Sequence, residues 1–183
     1  MFERFEEKAR RVIFFARYEA SQLGEHYIGN NHFLLALMRE DKALFAFLAP
    51  KTNVYILADS LRANVTGEKI STSVDLPLSM DTKRVLALAA EESEQQGAPL
   101  VTTSHLLLGL LRHPGAIRDV LAEMGLEVTA VREALKDRTS RPLPPGNRQI
   151  MAMLRNEFEP LMQRLKPDVE PAVAYRLRAE KVQ

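Results

Sequence analysis

Two histidines in matching sequence contexts are the side chains whose type and spacing could bind a metal ion. His32 opens the run His-Phe-Leu-Leu-Ala-Leu, and His105 opens the run His-Leu-Leu-Leu-Gly-Leu. A pair of imidazoles brought together by the fold could hold a metal ion such as zinc. No carboxylate lies beside either histidine at ligand spacing, so we favour a structural role in the first turn of a helix over a metal site.

Catalytic motifs are missing from the sequence. There is no Gly-x-Ser-x-Gly elbow and no His-Glu-x-x-His helix, and a chain without cysteine has no thiol nucleophile. The nearest approach to a phosphate-binding loop runs from Gly24 to Gly29, but two asparagines follow it where lysine and a hydroxyl residue are required. Paired acids such as Glu91 and Glu92 are interpreted as solvated helix faces. We therefore expect no catalysis and no cofactor.

The composition excludes several kinds of partner. The 183 residues are 46% hydrophobic and 27% charged, yet the net charge is only +1. Such a chain has no overall field to attract nucleic acid or an anionic membrane, and its apolar runs are far shorter than the roughly 20 residues that span a bilayer. The first residues do not resemble a secretory signal, and the absence of cysteine fits a reducing compartment. We expect a cytoplasmic protein with no nucleic-acid and no membrane partner.

An internal duplication organises the chain. A shift of about 73 residues places the segment from Ala9 to Arg39 on the segment from Thr82 to Arg112. Unrelated helices would share about two or three identities over this length, whereas these segments share many more. The identical pairs are Arg11/Arg84, Val12/Val85, Ala16/Ala89, Glu19/Glu92, Gln22/Gln95, Gly24/Gly97, His32/His105, Leu34/Leu107, Leu35/Leu108, Leu37/Leu110 and Arg39/Arg112. Two copies of one supersecondary module are predicted.

Each copy is predicted to be helical. In the first copy, apolar residues recur at helical spacing up to Gly24, which is expected to end the helix in a left-handed conformation. Asn30 or Asn31 is expected to cap the next helix, and Thr103 or Ser104 to do so in the second copy. The remaining helices are predicted at Leu44–Leu48, Val54–Leu61, Ala116–Met124 and Val128–Leu135, with a polar linker from Asn64 to Pro77 and no strand.

These motifs resemble the N-terminal domain of the Clp unfoldases, especially the ClpC branch. The opening Met-Phe-Glu-Arg-Phe-Glu-Glu-Lys-Ala-Arg-Arg-Val carries the resemblance, together with Tyr-Ile-Gly-x-x-His-x-Leu-Leu-x-Leu-x-Arg and its second copy. The resemblance implies an all-α fold of two pseudo-twofold-related four-helix Clp repeats, eight helices in all, plus a C-terminal helical extension. The repeats are placed at about 1–64 and 78–138, with a linker at 65–77 between them. In the family, this domain binds adaptors and client proteins and passes clients to an ATPase ring.

The resemblance also implies candidate ligand-binding residues. In ClpC-like domains, a glutamate at the start of the second helix of each repeat and a threonine near the start of the repeat bind phosphoarginine. The glutamate positions hold Asn31 and Ser104 here, and the threonine positions hold Glu6 and Ser79. Because Glu6 would repel a phosphate, we expect no phosphoarginine binding in repeat one and weak binding at most in repeat two. The alternative is that Asn31 and Ser104 are simply N-caps.

Residues 139–183 lie outside the resemblance. The run Arg141-Pro-Leu-Pro-Pro-Gly predicts a semi-rigid linker. An apolar stripe at helical spacing follows this linker, and Pro160 within the stripe should kink it. This stripe is either part of an extra helix packed on the repeats or a docking segment for a partner's groove. The candidate docking residues are Met151, Leu154, Phe158 and Met162.

Two functions are carried forward from the sequence. The preferred one is a stand-alone, non-catalytic binding module without the ATPase, whose partners are Clp unfoldase components, adaptors or client proteins. The alternative is a helical scaffold that uses the Clp-repeat fold without a role in proteolysis and forms an oligomer through the tail. Sedimentation of full-length and tail-truncated chains separates the two, because a tail-built oligomer falls apart on truncation.

Overall fold

Eight helices form in the part of the chain that this computed structural model describes, which covers residues 3–63, 67–71 and 75–140. The first four make up repeat one and the last four make up repeat two. They are α1 (Glu7–Gln22), α2 (Asn30–Glu40), α3 (Lys42–Leu48), α4 (Val54–Ala63), α5 (Met80–Gln95), α6 (Thr103–Arg112), α7 (Ala116–Glu123) and α8 (Val128–Ser140). No strand occurs in these ranges, so the predicted all-α double repeat is confirmed. The predicted extension beyond residue 140 lies outside the described residues.

The predicted glycine stop at the end of α1 is confirmed, and the matching glycine after α5 adopts the same conformation. Gly24 has a φ of +73° and Gly97 has a φ of +63°, the left-handed conformation that ends a helix at low cost only for glycine. The backbone N–H of Glu25 then donates to the carbonyl of Ala20, and the N–H of Ala98 donates to the carbonyl of Ser93. The first helix of each repeat therefore ends in the same way.

Helices α2 and α6 form the centre of the fold because they are apolar nearly all round, which is typical of buried helices. Helix α1 packs on α2, helix α5 packs on α6, and the two central helices contact each other. The fully buried leucines of these helices are Leu34, Leu35, Leu37, Leu106, Leu107, Leu108, Leu110 and Leu111. The two repeats thus share one hydrophobic core, and the compact unit that contains them ends at Arg138.

Gly109 allows α6 to lie very close to α5. A Cβ atom at this position would lie 2.5 Å from the backbone oxygen of Val85 and 3.1 Å from the backbone nitrogen of Ala89. Both are main-chain atoms, so they cannot move aside without shifting a whole helix.

Polar contacts also join the repeats. The carboxylate of Asp41 accepts a hydrogen bond from the hydroxyl of Thr103 at 2.7 Å, and its other oxygen accepts from the backbone N–H of Leu44 at 3.1 Å. Asp41 therefore caps α3 and ties it to the start of α6. No helix in the described ranges is both long enough and apolar enough to span a membrane.

Candidate binding site between the repeats

The imidazoles of His32 and His105 cap the helices in which they lie. The backbone N–H of Gly29 donates to Nδ1 of His32 at 3.0 Å, and the backbone N–H of Thr102 donates to Nδ1 of His105 at the same distance. Nε2 of His105 lies 3.2 Å from the side-chain oxygen of Gln96. Because each Nδ1 already accepts a hydrogen bond, both rings have the structural role that the sequence favoured. No cluster of three or more potential metal ligands occurs in the described part of the chain.

The histidine caps make stability depend on pH. Burial lowers the pKa of both His32 and His105 below the ordinary value of 6.5, because the charged form loses hydration. The unfolded chain therefore binds protons that the folded chain excludes. The contribution of these two histidines to folding stability is fully present above about pH 6.5 and is lost as the pH falls below that value.

We expect each buried histidine to cost up to about 1.4 kcal/mol of unfolding free energy between pH 7.5 and pH 5.5. Urea unfolding of the wild type and of the double variant His32→Gln, His105→Gln at both pH values measures this loss. The variant should be less stable at pH 7.5 and should show a shallower dependence on pH. Parallel curves for the two proteins would contradict the assignment.

The predicted N-caps are wrong. Gly29 and Thr102 occupy the N-cap positions of α2 and α6, so Asn31 and Ser104 are each the second residue of their helix. Neither side chain is therefore the N-cap acceptor, and the ring three residues after each cap position accepts from the backbone N–H of the N-cap residue itself. The side chains of Asn31 and Ser104 are half-buried. The alternative that explained them as simple caps is therefore removed.

Asn31 and Ser79 line one cavity of about 320 Å³ between the repeats. Ser79 is the N-cap of α5, where its hydroxyl accepts from the backbone N–H of Thr82 at 3.1 Å. Helices α2, α5 and α7 all begin at this cavity. The remaining polar lining residues are Asn30, Asp81, His113 and Arg118.

Paired backbone segments bring the two repeats together at this cavity. The N–H of Ile28 donates to the carbonyl of Pro77 at 2.9 Å, and the N–H of Ser79 donates to the carbonyl of Ile28 at 3.0 Å. The start of α5 in repeat two therefore lies against the start of α2 in repeat one. The sequence grouped Asn31 with Glu6, and Ser79 with Ser104, by repeat. The structure instead places Asn31 with Ser79.

The other two candidates lie near an equivalent junction. The N–H of Glu6 donates to the carbonyl of Val101 at 2.9 Å, and the N–H of Val101 donates to the carbonyl of Arg4 at 2.7 Å. Glu6 is the N-cap residue of α1 but makes no side-chain capping bond. The start of α1 thus lies beside the segment that leads into α6, where Ser104 is found.

Three residues of the cavity had no signal in the sequence analysis. Nε2 of His113 lies 3.5 Å from a carboxylate oxygen of Asp81, and Arg118 lies on α7. Asp81 lies in the first turn of α5, whereas His113 and Arg118 come from the loop and helix that follow α6, so only the tertiary fold brings these residues to Asn31. The one local hint was the break at Pro114 and Gly115, after which α7 begins. The predicted docking residues Met151, Leu154, Phe158 and Met162 lie outside the described residues.

A model of the Clp repeat (R) N-terminal domain matches residues 4–97 and 77–166 of this chain. An ATP-dependent Clp protease ATP-binding subunit ClpA homolog of Guillardia theta is 40% identical over 139 residues, which cover 72% of this chain and 16% of that protein. The chloroplastic chaperone protein ClpC of Pisum sativum is 38% identical over 139 residues, which cover 72% of this chain and 15% of that protein. The chain therefore spans only about one sixth of the length of these curated relatives.

Solved structures share the fold. The N-terminal domain of the chaperone ClpD from Arabidopsis thaliana superposes with a TM-score of 0.63 at 28% identity, covering 77% of this chain and 97% of that domain. The Hsp104 N-terminal domain from Candida albicans gives a TM-score of 0.61 at 23% identity, covering 76% of this chain and 94% of that domain. The second likeness is one of fold alone.

Proposed function

We propose that this chain, which belongs to the Clp repeat N-terminal domain family, is a non-catalytic binding module. It binds client proteins or adaptors of Clp-type protein quality control. The observation that carries the proposal is the cavity between the repeats, where three helices begin and polar side chains converge. We further propose that the module acts in the cytoplasm and has neither nucleic acid nor membrane as its partner.

The chemistry of the cavity favours a polar group of a partner protein as its occupant. Asn31 offers an amide, Ser79 a hydroxyl and Arg118 a guanidinium, while Asp81 is the carboxylate. Asp81 lies 3.6 Å from the guanidinium of Arg84, which balances part of its charge, and 3.5 Å from Nε2 of His113. A partner side chain that both donates and accepts hydrogen bonds suits these walls better than an apolar one.

Phosphoarginine is expected to bind the wild-type chain weakly or not at all, with no saturable heat at micromolar ligand in calorimetry. The guanidinium of the ligand lacks a dedicated carboxylate, since Asn31 occupies that position. Because Asn31 shares its cavity with Ser79, Asn31→Glu places a carboxylate and a hydroxyl in one cavity and should raise the affinity by about tenfold or more.

The equivalent substitution Ser104→Glu is the matched control for phosphoarginine binding. It adds the same carboxylate beside the junction that already holds Glu6, whose charge repels a phosphate. We therefore expect no gain in affinity from Ser104→Glu. Saturable micromolar binding by the wild type, or equal gains from both variants, would contradict the assignment of Asn31 and Ser79 to one site.

A pull-down from lysate of the organism tests the proposed function. The wild-type chain should recover a Clp unfoldase component, an adaptor or a proteolysis client. The variant Asn31→Arg fills the cavity with a long cation and should lose these proteins, whereas Ser104→Arg adds the same side chain outside the cavity and should retain them. Recovery of none of these classes by the wild type counts against the proposal.

A further inference from the structure

A second cavity, of about 200 Å³, opens on repeat one between α2 and α4. Leu35 and Met38 of α2 line it, and both are buried in the core. Arg39, Lys42 and Tyr55 line it as well, and each of these side chains is exposed. The cavity therefore combines an apolar floor with a rim of two cations and one aromatic ring.

The acidic side chain at the back of this cavity is already paired with an arginine. The carboxylate of Glu19 is 5% exposed, and Arg62 donates to both of its oxygens at 3.0 and 3.1 Å. Arg39 lies 3.9 Å from the same carboxylate, at the limit of an ion pair. Lys42 has no carboxylate within ion-pair distance in the described ranges, and it donates to the hydroxyl of Tyr55 at 3.2 Å. The rim thus carries positive charge in excess of its acidic partner.

Repeat two shows what the equivalent arginine does when its charge is satisfied. Arg112, the counterpart of Arg39, lies 2.9 Å from Glu91 and 3.1 Å from Glu92, and 25% of its side chain is exposed. In repeat one, Tyr18 occupies the position of Glu91, so Arg39 has lost one carboxylate partner and is 48% exposed.

Aromatic rings hold Arg39 in place of the missing carboxylate. Its guanidinium carbon lies 4.1 Å from the ring centroid of Phe15 and 5.5 Å from that of Tyr18. Stacking of this kind uses the face of the guanidinium and leaves its N–H edge available to an anion.

The exposed apolar surface beside the cavity is also specific to repeat one. Tyr55 is 64% exposed and Ile56 is 67% exposed. The last helices of the repeats align with one further residue of offset, which pairs Leu61 with Leu135, so the counterparts of Tyr55 and Ile56 are Thr129 and Ala130. The Clp-repeat fold therefore does not require large apolar side chains at these positions. Exposed apolar groups that adjoin a cavity are typical of interaction sites.

From this arrangement we propose that the cavity of repeat one binds an acidic peptide segment of a partner protein, with an aromatic side chain flanked by carboxylates. The aromatic ring enters the cavity above Leu35 and Met38, and the carboxylates pair with Arg39 and Lys42. The site is separate from the cavity between the repeats. The proposal therefore goes beyond the proposed function and is tested independently of it.

A labelled eight-residue peptide centred on Glu-Phe-Glu tests the proposal by fluorescence anisotropy with the full chain. The peptide should bind saturably, and the versions centred on Gln-Phe-Gln and Glu-Ala-Glu should each bind at least about tenfold more weakly. The variant Tyr18→Glu should weaken binding by about tenfold, because the new carboxylate would take Arg39 as Glu91 takes Arg112. Lys42→Gln should weaken it several-fold.

Controls separate this site from the rest of the surface. Lys83→Gln removes an exposed lysine of α5 that lines neither cavity, and Asn31→Arg alters only the cavity between the repeats. Both should leave peptide affinity within about twofold of the wild type. A carbon-labelled methyl group of Met38 should shift on binding of the peptide. No saturable binding, equal binding of the Gln-Phe-Gln peptide, or full affinity in Tyr18→Glu would overturn the proposal.

Discussion

Replacing Glu92 by glutamine is expected to lower the free energy of unfolding by about 2–4 kcal/mol. The carboxylate of Glu92 is fully buried, yet Arg132 donates to its two oxygens at 2.7 and 3.1 Å, and Arg112 lies 3.1 Å away. Burial raises the pKa of Glu92, but the hydrogen bonds and positive charges of these arginines outweigh it, so the pKa lies below its ordinary value. The substitution therefore removes a charge that two partly buried arginines need.

The neighbouring Glu91→Gln is the matched control for this prediction. Glu91 is 53% exposed and pairs with Arg112 at 2.9 Å, so its loss should cost no more than about 1 kcal/mol. Urea unfolding of both variants at pH 7.5 measures the difference. If both variants lost the same unfolding free energy, the burial of Glu92 would not account for the strength of its interaction with Arg132 and Arg112.

Gly109→Ala is expected to destabilise the fold by about 1–3 kcal/mol, although alanine is the better helix former. The added Cβ would lie 2.5 Å from the carbonyl oxygen of Val85, so α5 and α6 must move apart in the centre of the core. The higher helix propensity of alanine stabilises the variant by about 1 kcal/mol, which is less than the cost of separating two closely packed helices.

Thermal and urea unfolding measure this effect, with Thr129→Ala as the control. Thr129 is an exposed residue of α8, and alanine there should leave stability unchanged or slightly increased. A Gly109→Ala variant as stable as the wild type would mean that α5 and α6 can separate at no cost.

The duplication predicted two copies of one helical module, and the resemblance to the Clp N-terminal domain implied the two four-helix repeats. The same pattern did not reveal the state of Glu92, which was interpreted as part of a solvated face and is fully buried. Its main partner, Arg132, lies 40 residues further along the chain, and no local periodicity reports such a contact. The identity of Glu19 and Glu92 in the two copies was the signal that could have indicated a shared role.

Even the alignment of the copies could not have given the partners of these glutamates. Glu19 pairs with Arg62 near the end of α4, whereas Glu92 pairs with Arg132 in the first half of α8. The residue of α4 equivalent to Arg132 is Ala58. Arginine side chains are long enough to reach the same carboxylate from different turns, so equivalent contacts arise from non-equivalent positions.

The candidate site was predicted in part. The four residues singled out lie at or near the starts of α1, α2, α5 and α6, but their grouping depends on which backbone segments pair between the repeats. The hydrogen bonds between Ile28 and the segment 77–79 decide that Asn31 faces Ser79. Such contacts span about 50 residues, and the spacing of residues within one helix contains no information on them.

Photo-crosslinking from the cavity between the repeats tests the central claim most directly. A benzophenone side chain is placed at Arg118, on the cavity wall, and in a second protein at Lys83, outside both cavities. The account predicts that a Clp unfoldase component, an adaptor or a proteolysis client is crosslinked from position 118 in lysate and not from position 83. The same proteins crosslinked equally from both positions, or no protein of these classes from position 118, would contradict it.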